Sequence, residues 1–452
     1  MFESIDWDGA LLDRPVYGVF SGGGFPDSST FHHRVGSLDL LRALRGSRQA
    51  KRPLALTVRL PSRHALYPGW RRASADPIGD YLDCLRREID LIGCHLRQQQ
   101  VTRFHLAGGS LLGADAMRRL LAHVRTRLRL LDNDAGDYSI GLEQTRTDWA
   151  TMGLVRELGF NHVRLCVADA ETSTFGPEAL RDPRHICSLI DAARTLRFRS
   201  LTIELGYGRA WQTRESFVRK VAAIIELLPS RIWLFDYAEP LQRMGSPGRL
   251  SLRGLSSLED KRMMRRHCVE QLSLANYRYI GMGLFALPED ELVIAQESGQ
   301  LRRTCEGYSH QRCSDQIGLG VSAISQVGDL YAQNSRSLAH YQSQLQLGQL
   351  ATRRGLRCGQ DDHLRRTLVD SLVCHLCLDI GSLEQQFGVC LREHFAASWP
   401  LLEQMSRDGL LTLNRQRIQV SPLGQLLMGS VCQAFERPGA ARFGKGVRSF
   451  AR

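Results

Sequence analysis

The chain has 452 residues, 43% hydrophobic and 23% charged, a composition that suits a folded protein with more than one core. No apolar run is long enough to span a bilayer, and Met1-Phe2-Glu3-Ser4-Ile5-Asp6 is acidic with no apolar signal core, so neither a membrane helix nor export is expected and the expected location is the cytoplasm. The formal net charge of +12 is carried almost wholly by arginine, with lysine only at Lys51, Lys220, Lys261 and Lys445; arginine suits capture of carboxylate or phosphate, although solvated helix faces explain the same excess.

Residues 1–52, with Ser21-Gly22-Gly23-Gly24-Phe25-Pro26-Asp27, read as an N-terminal arm. From 53 to 284 short apolar runs alternate with amphipathic ones. Strands are predicted at 54–60, 101–106, 138–143, 162–167, 201–205 and 232–237. Between the first two, Tyr81, Leu82, Leu85, Ile89, Ile92 and Leu96 recur at three- and four-residue steps, which makes one helix face. Met117, Leu120, Leu121, Val124 and Leu128 repeat the pattern after the second strand. Strand runs without polar alternation, separated by helices, imply a parallel sheet covered by helices, and six units in a row favour an α/β fold built as a partial (β/α)6 barrel.

Residues 285–350 are glycine-punctuated and read as an insertion rather than a further barrel unit. Residues 351–437 read as a mostly helical, winged-helix-like domain. Helices are predicted at 365–378, 383–387 and 398–409, then a hairpin turning at Asn414-Arg415-Gln416 and a final helix. Residues 438–452 read as a basic tail.

The twelve cysteines read as buried thiols or metal ligands rather than as a disulfide framework, and Cys84, Cys94, Cys166, Cys187 and Cys268, single within apolar segments, read as core residues. Cys374 and Cys377 form the only C-x-x-C, inside a stretch that reads as a buried helix, and no second pair exists to complete a zinc site.

Several segments in fixed order carry a resemblance. Gly108-Gly109-Ser110 follows the second strand, as the G-G-T-P motif does in radical-SAM barrels. Gly281-Met282-Gly283-Leu284-Phe285-Ala286 resembles the G-M-D-H-F-A stretch of oxygen-independent coproporphyrinogen III oxidases. Gly307-Tyr308, Gly318-Leu319-Gly320-Val321-Ser322-Ala323-Ile324-Ser325 and Tyr331-Ala332-Gln333-Asn334 are similar to further signatures of that family. The resemblance implies a [4Fe-4S] cluster held by a C-x-x-x-C-x-x-C loop, with S-adenosyl-L-methionine on the open iron. It also implies radical decarboxylation of two propionates of coproporphyrinogen III to give protoporphyrinogen IX.

The loop at that place reads Pro61-Ser62-Arg63-His64-Ala65-Leu66-Tyr67-Pro68-Gly69-Trp70, which puts Arg63, Tyr67 and Trp70 at the three cysteine positions. Arg63 brings a permanent positive charge and Trp70 bulk, and neither can ligate iron. Thr57 and Arg59 stand where the resemblance implies a tyrosine and a histidine, Ala168 where it implies a glutamine, and Gly283-Leu284 where it implies Asp-His. The arm segment 16–21 keeps little of the corresponding R-Y-T-S-Y-P. Gly108, Gly109, Ser110, Glu143, Glu204 and Gln311 persist as a remnant S-adenosylmethionine site, with Glu204 replacing an aspartate that binds ribose hydroxyls. As plain structure, the glycines are turns and the acids cap helices or pair with arginine.

The expectation is therefore a non-catalytic relative of haem-biosynthetic enzymes with no bound cluster, and a porphyrin or coproporphyrinogen as the candidate ligand of an arginine-rich cavity. The alternatives are an active coproporphyrinogen dehydrogenase and, more remotely, a basic nucleic-acid-binding protein.

Overall fold

A computed structural model describes residues 26, 28–61, 76–96, 99–131, 135–167, 183–237, 255–304, 307–311 and 315–436. Residues 16–21, the loop with Arg63, His64, Tyr67 and Trp70, Ala168 and the 438–452 tail lie outside the described residues. Among the described residues no helix is long and apolar enough to cross a membrane.

The centre is one large sheet. Strands β1 (Leu54–Arg59), β2 (Gln100–Ala107), the short β3 (Arg129–Leu130), β4 (Asp137–Glu143), β5 (His162–Cys166), β6 (Ser200–Tyr207) and β7 (Arg231–Asp236) are each followed or separated by helices. Parallel pairing runs β1-β2-β4-β5-β6-β7, with β3 beside β2. Leu56, Val58, Leu106, Ile140, Leu142, Val163, Leu165, Ile203 and Leu205 share one buried core with Leu85, Ile89, Leu120, Val124, Val155, Ile186 and Leu189 of the connecting helices. The two predicted amphipathic faces lie in the helices Pro77–Leu96 and Ala114–Arg127, and their apolar residues are buried.

The strands do alternate, contrary to the sequence reading. Thr57, His105, Ser139, His162, Arg164, Ser200, Thr202, Glu204, Arg231 and Trp233 occupy the other parity, so the face away from the helix core is polar. A parallel sheet with helices packed on one face and polar side chains on the other is a barrel wall, not a doubly covered layer.

Beyond β7, β8 (Arg278–Gly281) and β9 (Leu284–Ala286) add an antiparallel edge through β9. The hairpin of β10 (Arg302–Thr304) and β11 (Gly307–Ser309) stands apart. The segment read as an insertion extends the other side of the main sheet: β12 (Asp315–Leu319) pairs parallel with β1, and β13 (Ile324–Val327), β14 (Leu330–Asn334) and β15 (Thr352–Arg357) continue antiparallel.

Glu88, on the helix Pro77–Leu96, fixes this region. Its buried carboxylate accepts from the Gly320 N–H at 2.8 Å, the Asn334 amide at 2.6 Å and the Tyr341 hydroxyl at 2.6 Å. Burial pushes the Glu88 pKa up to about 7, although the three donors pull the other way. The two signature segments around Gly320 and Asn334 thus meet on one acid. A Cβ on Gly318 would sit 2.4 Å from the Ile324 carbonyl oxygen. Gly318→Ala is expected to cost roughly 2–3 kcal/mol in urea unfolding, because backbone rather than a yielding side chain blocks the methyl; an unchanged midpoint would contradict that packing account.

A second core gathers Ile280, Ala286, Leu292 and Leu301 with Leu368, Leu372, Val373, Leu402, Ile418 and Phe435. Helices Gln360–His375, Ile380–Phe387 and Trp399–Arg407 surround β16 (Cys377–Asp379), β17 (Leu411–Leu413) and β18 (Arg417–Val420), ordered β16-β18-β17. The expected hairpin is β17-β18, and β16 turns it into a small three-stranded sheet. The helix expected to run through Cys377 stops at His375, where Leu376 takes a left-handed φ of 57°, and Cys377 opens β16. Burial pushes the Cys374 thiol up to about 12, the reverse of what a metal-ligating thiolate needs.

Candidate functional site

The helix-connected strands end at one mouth, where a βα barrel carries its chemistry. Gly108 takes a left-handed φ of 82° at the end of β2, and Gly109 opens a short 3-10 turn through Leu111. A Cβ on Gly109 would lie 2.6 Å from Ile140 Cδ1, so a larger residue there would have to move that side chain. Ser110 Oγ accepts from the Glu143 N–H at 2.6 Å, and its carbonyl accepts from Arg146 at 3.1 Å. Gly108, Gly109, Ser110 and Glu143 are therefore brought together. The pairing register Glu143↔Cys166↔Glu204↔Trp233 carries the same level of the wall across to β7.

One oxygen of Glu204 is already taken by arginine. Its Oε1 accepts from Arg164 Nε at 2.9 Å, and the guanidinium lies over the Trp233 ring, 4.9 Å from its centroid. Trp233 is held in turn by donating Nε1–H to the Met282 carbonyl at 3.2 Å. Both side chains of the pair are largely withdrawn from water, 23% and 17% exposed. Close by, Gly283 has φ 81°, and a Cβ there would stand 2.1 Å from the Leu234 carbonyl oxygen. The position at which the resemblance implies an aspartate admits no side chain at all.

Gln311 corrects the sequence reading. Its N–H donates to Ser309 Oγ at 3.1 Å and its amide donates to the Ala135 carbonyl at 3.4 Å. Ser309 is itself anchored on Asp137, at 3.2 Å. These bonds pin Gln311 at the amino end of β4, the opposite end of the strand from Glu143.

That opposite end holds a network the sequence reading missed. Asp137 lies 3.5 Å from Arg103 and 3.3 Å from His162. Arg231 pairs with Asp290 at 2.8 Å and Glu291 at 2.8 Å, and Glu291 lies 3.6 Å from His162 and 3.7 Å from His310. Burial opposes ionisation of Asp137, but Arg103, His162 and Arg231 outweigh it and hold the pKa down at about 2. Burial keeps the pKa of His162 below its ordinary value despite the carboxylates beside it. The network closes the base of the barrel with charge matched to charge. Asp137, His162 and Arg231 open their strands and Arg103 is the fourth residue of β2, and that placement is the only signal the sequence offered.

The implied cofactors meet this donor set poorly. A cluster needs three thiolates on one loop, and no C-x-x-x-C-x-x-C occurs in the sequence. Among the described residues no group of three or more His, Cys, Asp or Glu side chains could hold a metal ion.

Comparison with known proteins places this arrangement in context. Residues 359–427 match the family model described as HemN C-terminal domain. The chain is 41% identical over 446 residues to an oxygen-independent coproporphyrinogen III oxidase of Pseudomonas aeruginosa, covering 97% of each. It is 31% identical to the enzyme of the same name from Escherichia coli K12, covering 96% of each. The solved coproporphyrinogen III oxidase HemN of Escherichia coli, titled a radical SAM enzyme, superposes with a TM-score of 0.84 at 30% identity, covering 96% of this chain and 99% of that one.

Proposed function

The chain belongs to the oxygen-independent coproporphyrinogen III oxidase family, and from that premise we propose that it is a non-catalytic member, keeping the haem-biosynthetic scaffold to bind a tetrapyrrole or to regulate. The observation that carries the reading is the loop after β1, where Arg63, Tyr67 and Trp70 stand at the positions of the three cluster cysteines. A guanidinium, a phenol and an indole offer no thiolate, and the permanent charge of Arg63 repels a cation. Two further features support it: Glu204 is already paired with Arg164, and Gly283 leaves no room for the implied aspartate.

In this reading the polar wall binds and does not transform. The mouth carries Arg146 near Glu143, with Lys261 paired to Asp236 and Arg209 stacked on Tyr237. Cations in such a setting suit the carboxylates of a porphyrin. Overall similarity favours a second reading, an active oxidase, and the two separate cleanly. After anaerobic reconstitution with iron and sulfide, the purified protein is expected to hold no stoichiometric iron and to show no cluster absorbance. Stoichiometric cluster with cleavage of S-adenosylmethionine, or anaerobic rescue of a haem-auxotrophic strain, would establish the active enzyme instead. Coproporphyrin III is expected to bind saturably in a fluorescence titration; no binding would remove the tetrapyrrole part of the reading.

A further inference from the structure

We propose that Arg164, held by Glu204 and Trp233, is a plug built into the wall, filling with protein the space and the acid that a nucleoside would need. The proposal rests on the non-catalytic reading and extends it: beyond lacking cluster ligands, the site has been closed from within.

The register makes the case. Across the wall Arg164 is flanked by Gly141 on β4 and Thr202 on β6. A Cβ at Gly141 would meet nothing nearer than 3.8 Å, so its neighbours leave the arginine free to extend. Its guanidinium crosses to β6 and rises one wall level to reach Glu204, which lies opposite Cys166 rather than Arg164. Trp233, next to Glu204 on β7, supplies the ring on which the guanidinium stacks. At the next level towards the strand starts, the small groups Thr57, Ser139 and Ser200 alternate with His105 and His162. Arg164 shares its level with Gly141, Thr202 and Arg231, and its guanidinium packs on Trp233 one level above.

The chemistry excludes a vicinal diol. A ribose diol held by both oxygens of Glu204 must displace Arg164 from the Oε1 it now occupies. It must also displace a cation–π contact withdrawn from water, where both interactions are stronger than at a surface. Arg164 engages one oxygen of Glu204 through Nε, and a guanidinium lacks any group that could accept a diol proton.

The test uses 5′-methylthioadenosine, which carries adenine and ribose without an aminocarboxylate, so its binding does not depend on a cluster. In equilibrium dialysis the full chain is expected to show no saturable binding, and Arg164→Ser to bind at least about ten-fold tighter, a difference of about 1.4 kcal/mol. The double variant with Glu204→Gln is expected to return to the parent level, since the diol acceptor is gone. Trp233→Ser, which removes the platform, serves as a second opening variant should Arg164→Ser not fold. The proposal is overturned if the parent binds as tightly as Arg164→Ser, or if the folded opening variants, checked by circular dichroism, bind no better than the parent. Iron content, which decides the non-catalytic reading, is untouched by this assay, so the two failures are distinguishable.

Discussion

Arg231→Met is expected to cost about 3–5 kcal/mol of unfolding free energy, because it removes one member of a buried ion cluster and leaves its carboxylates unmatched. Arg231 is only 9% exposed, and its guanidinium joins Asp290 and Glu291. It ties β7 of the barrel to the helix Glu291–Glu297, whose Leu292 belongs to the second core. The loss is thus felt where the two cores adjoin. Asp290 also caps that helix, accepting from the Leu292 N–H at 2.8 Å, so Asp290→Asn keeps the cap and removes the charge. The double variant Arg231→Met, Asp290→Asn is expected to recover a substantial part of the loss. Urea unfolding of the parent and the two variants decides it; a single variant within about 1 kcal/mol of the parent would show that the cluster is not load-coupled to folding.

Glu88→Gln is expected to change how stability depends on pH. The native acid has its pKa raised from 4.5 to about 7, chiefly by burial. Between those values the folded protein holds a proton that the unfolded chain has released, so this group's effect is to lower stability as pH rises through the window. Above pH 7 the acid is ionised in both states and the full penalty applies, on the order of 3 kcal/mol. Glutamine cannot ionise; its one amide oxygen can serve Gly320 and Tyr341, which share Oε2, and its NH2 then faces the Asn334 amide, a cost that does not vary with pH. Relative to the parent, the variant is therefore expected to gain about 3 kcal/mol between pH 4.5 and pH 8, on top of a pH-independent cost for the lost acceptor. Histidines that titrate in the same window are common to both proteins and cancel in the difference curve. A difference that is flat from pH 4.5 to 8 would mean that Glu88 is not held protonated.

Much of the fold was legible because apolar periodicity is local. Ile89 and Leu85 announce a helix face whatever surrounds them, and each of the six barrel strands begins within one residue of its predicted start. The concave face was not legible in the same way. Ser139, Arg164 and Thr202 sit inside runs rich in leucine and isoleucine, and only the register reveals that they share a wall. The Arg164–Trp233 stack joins residues from β5 and β7 that never approach in sequence, with β6 between them. Gln311 was misplaced for a related reason: its motif fixes the residue type, while the tether from Ser309 to Asp137 fixes the end of the barrel. Gly108, Gly109, Ser110 and Glu143 lie at or just beyond the ends of neighbouring strands, where chain order and space agree, so their proximity is readable from the sequence.

The pairing of β1 with β12 has a consequence for biosynthesis. Leu54 lies opposite Asp315, so β1 waits for about 260 residues to be polymerised before its second neighbour exists, a strongly non-local closure. At about 10 residues per second the ribosome takes roughly half a minute to deliver β12. Throughout that interval the hydrogen-bonding edge of β1 is bare. The nascent chain therefore offers a sticky strand edge to chaperones and to its own polysome neighbours until the segment 315–319 arrives to cover it.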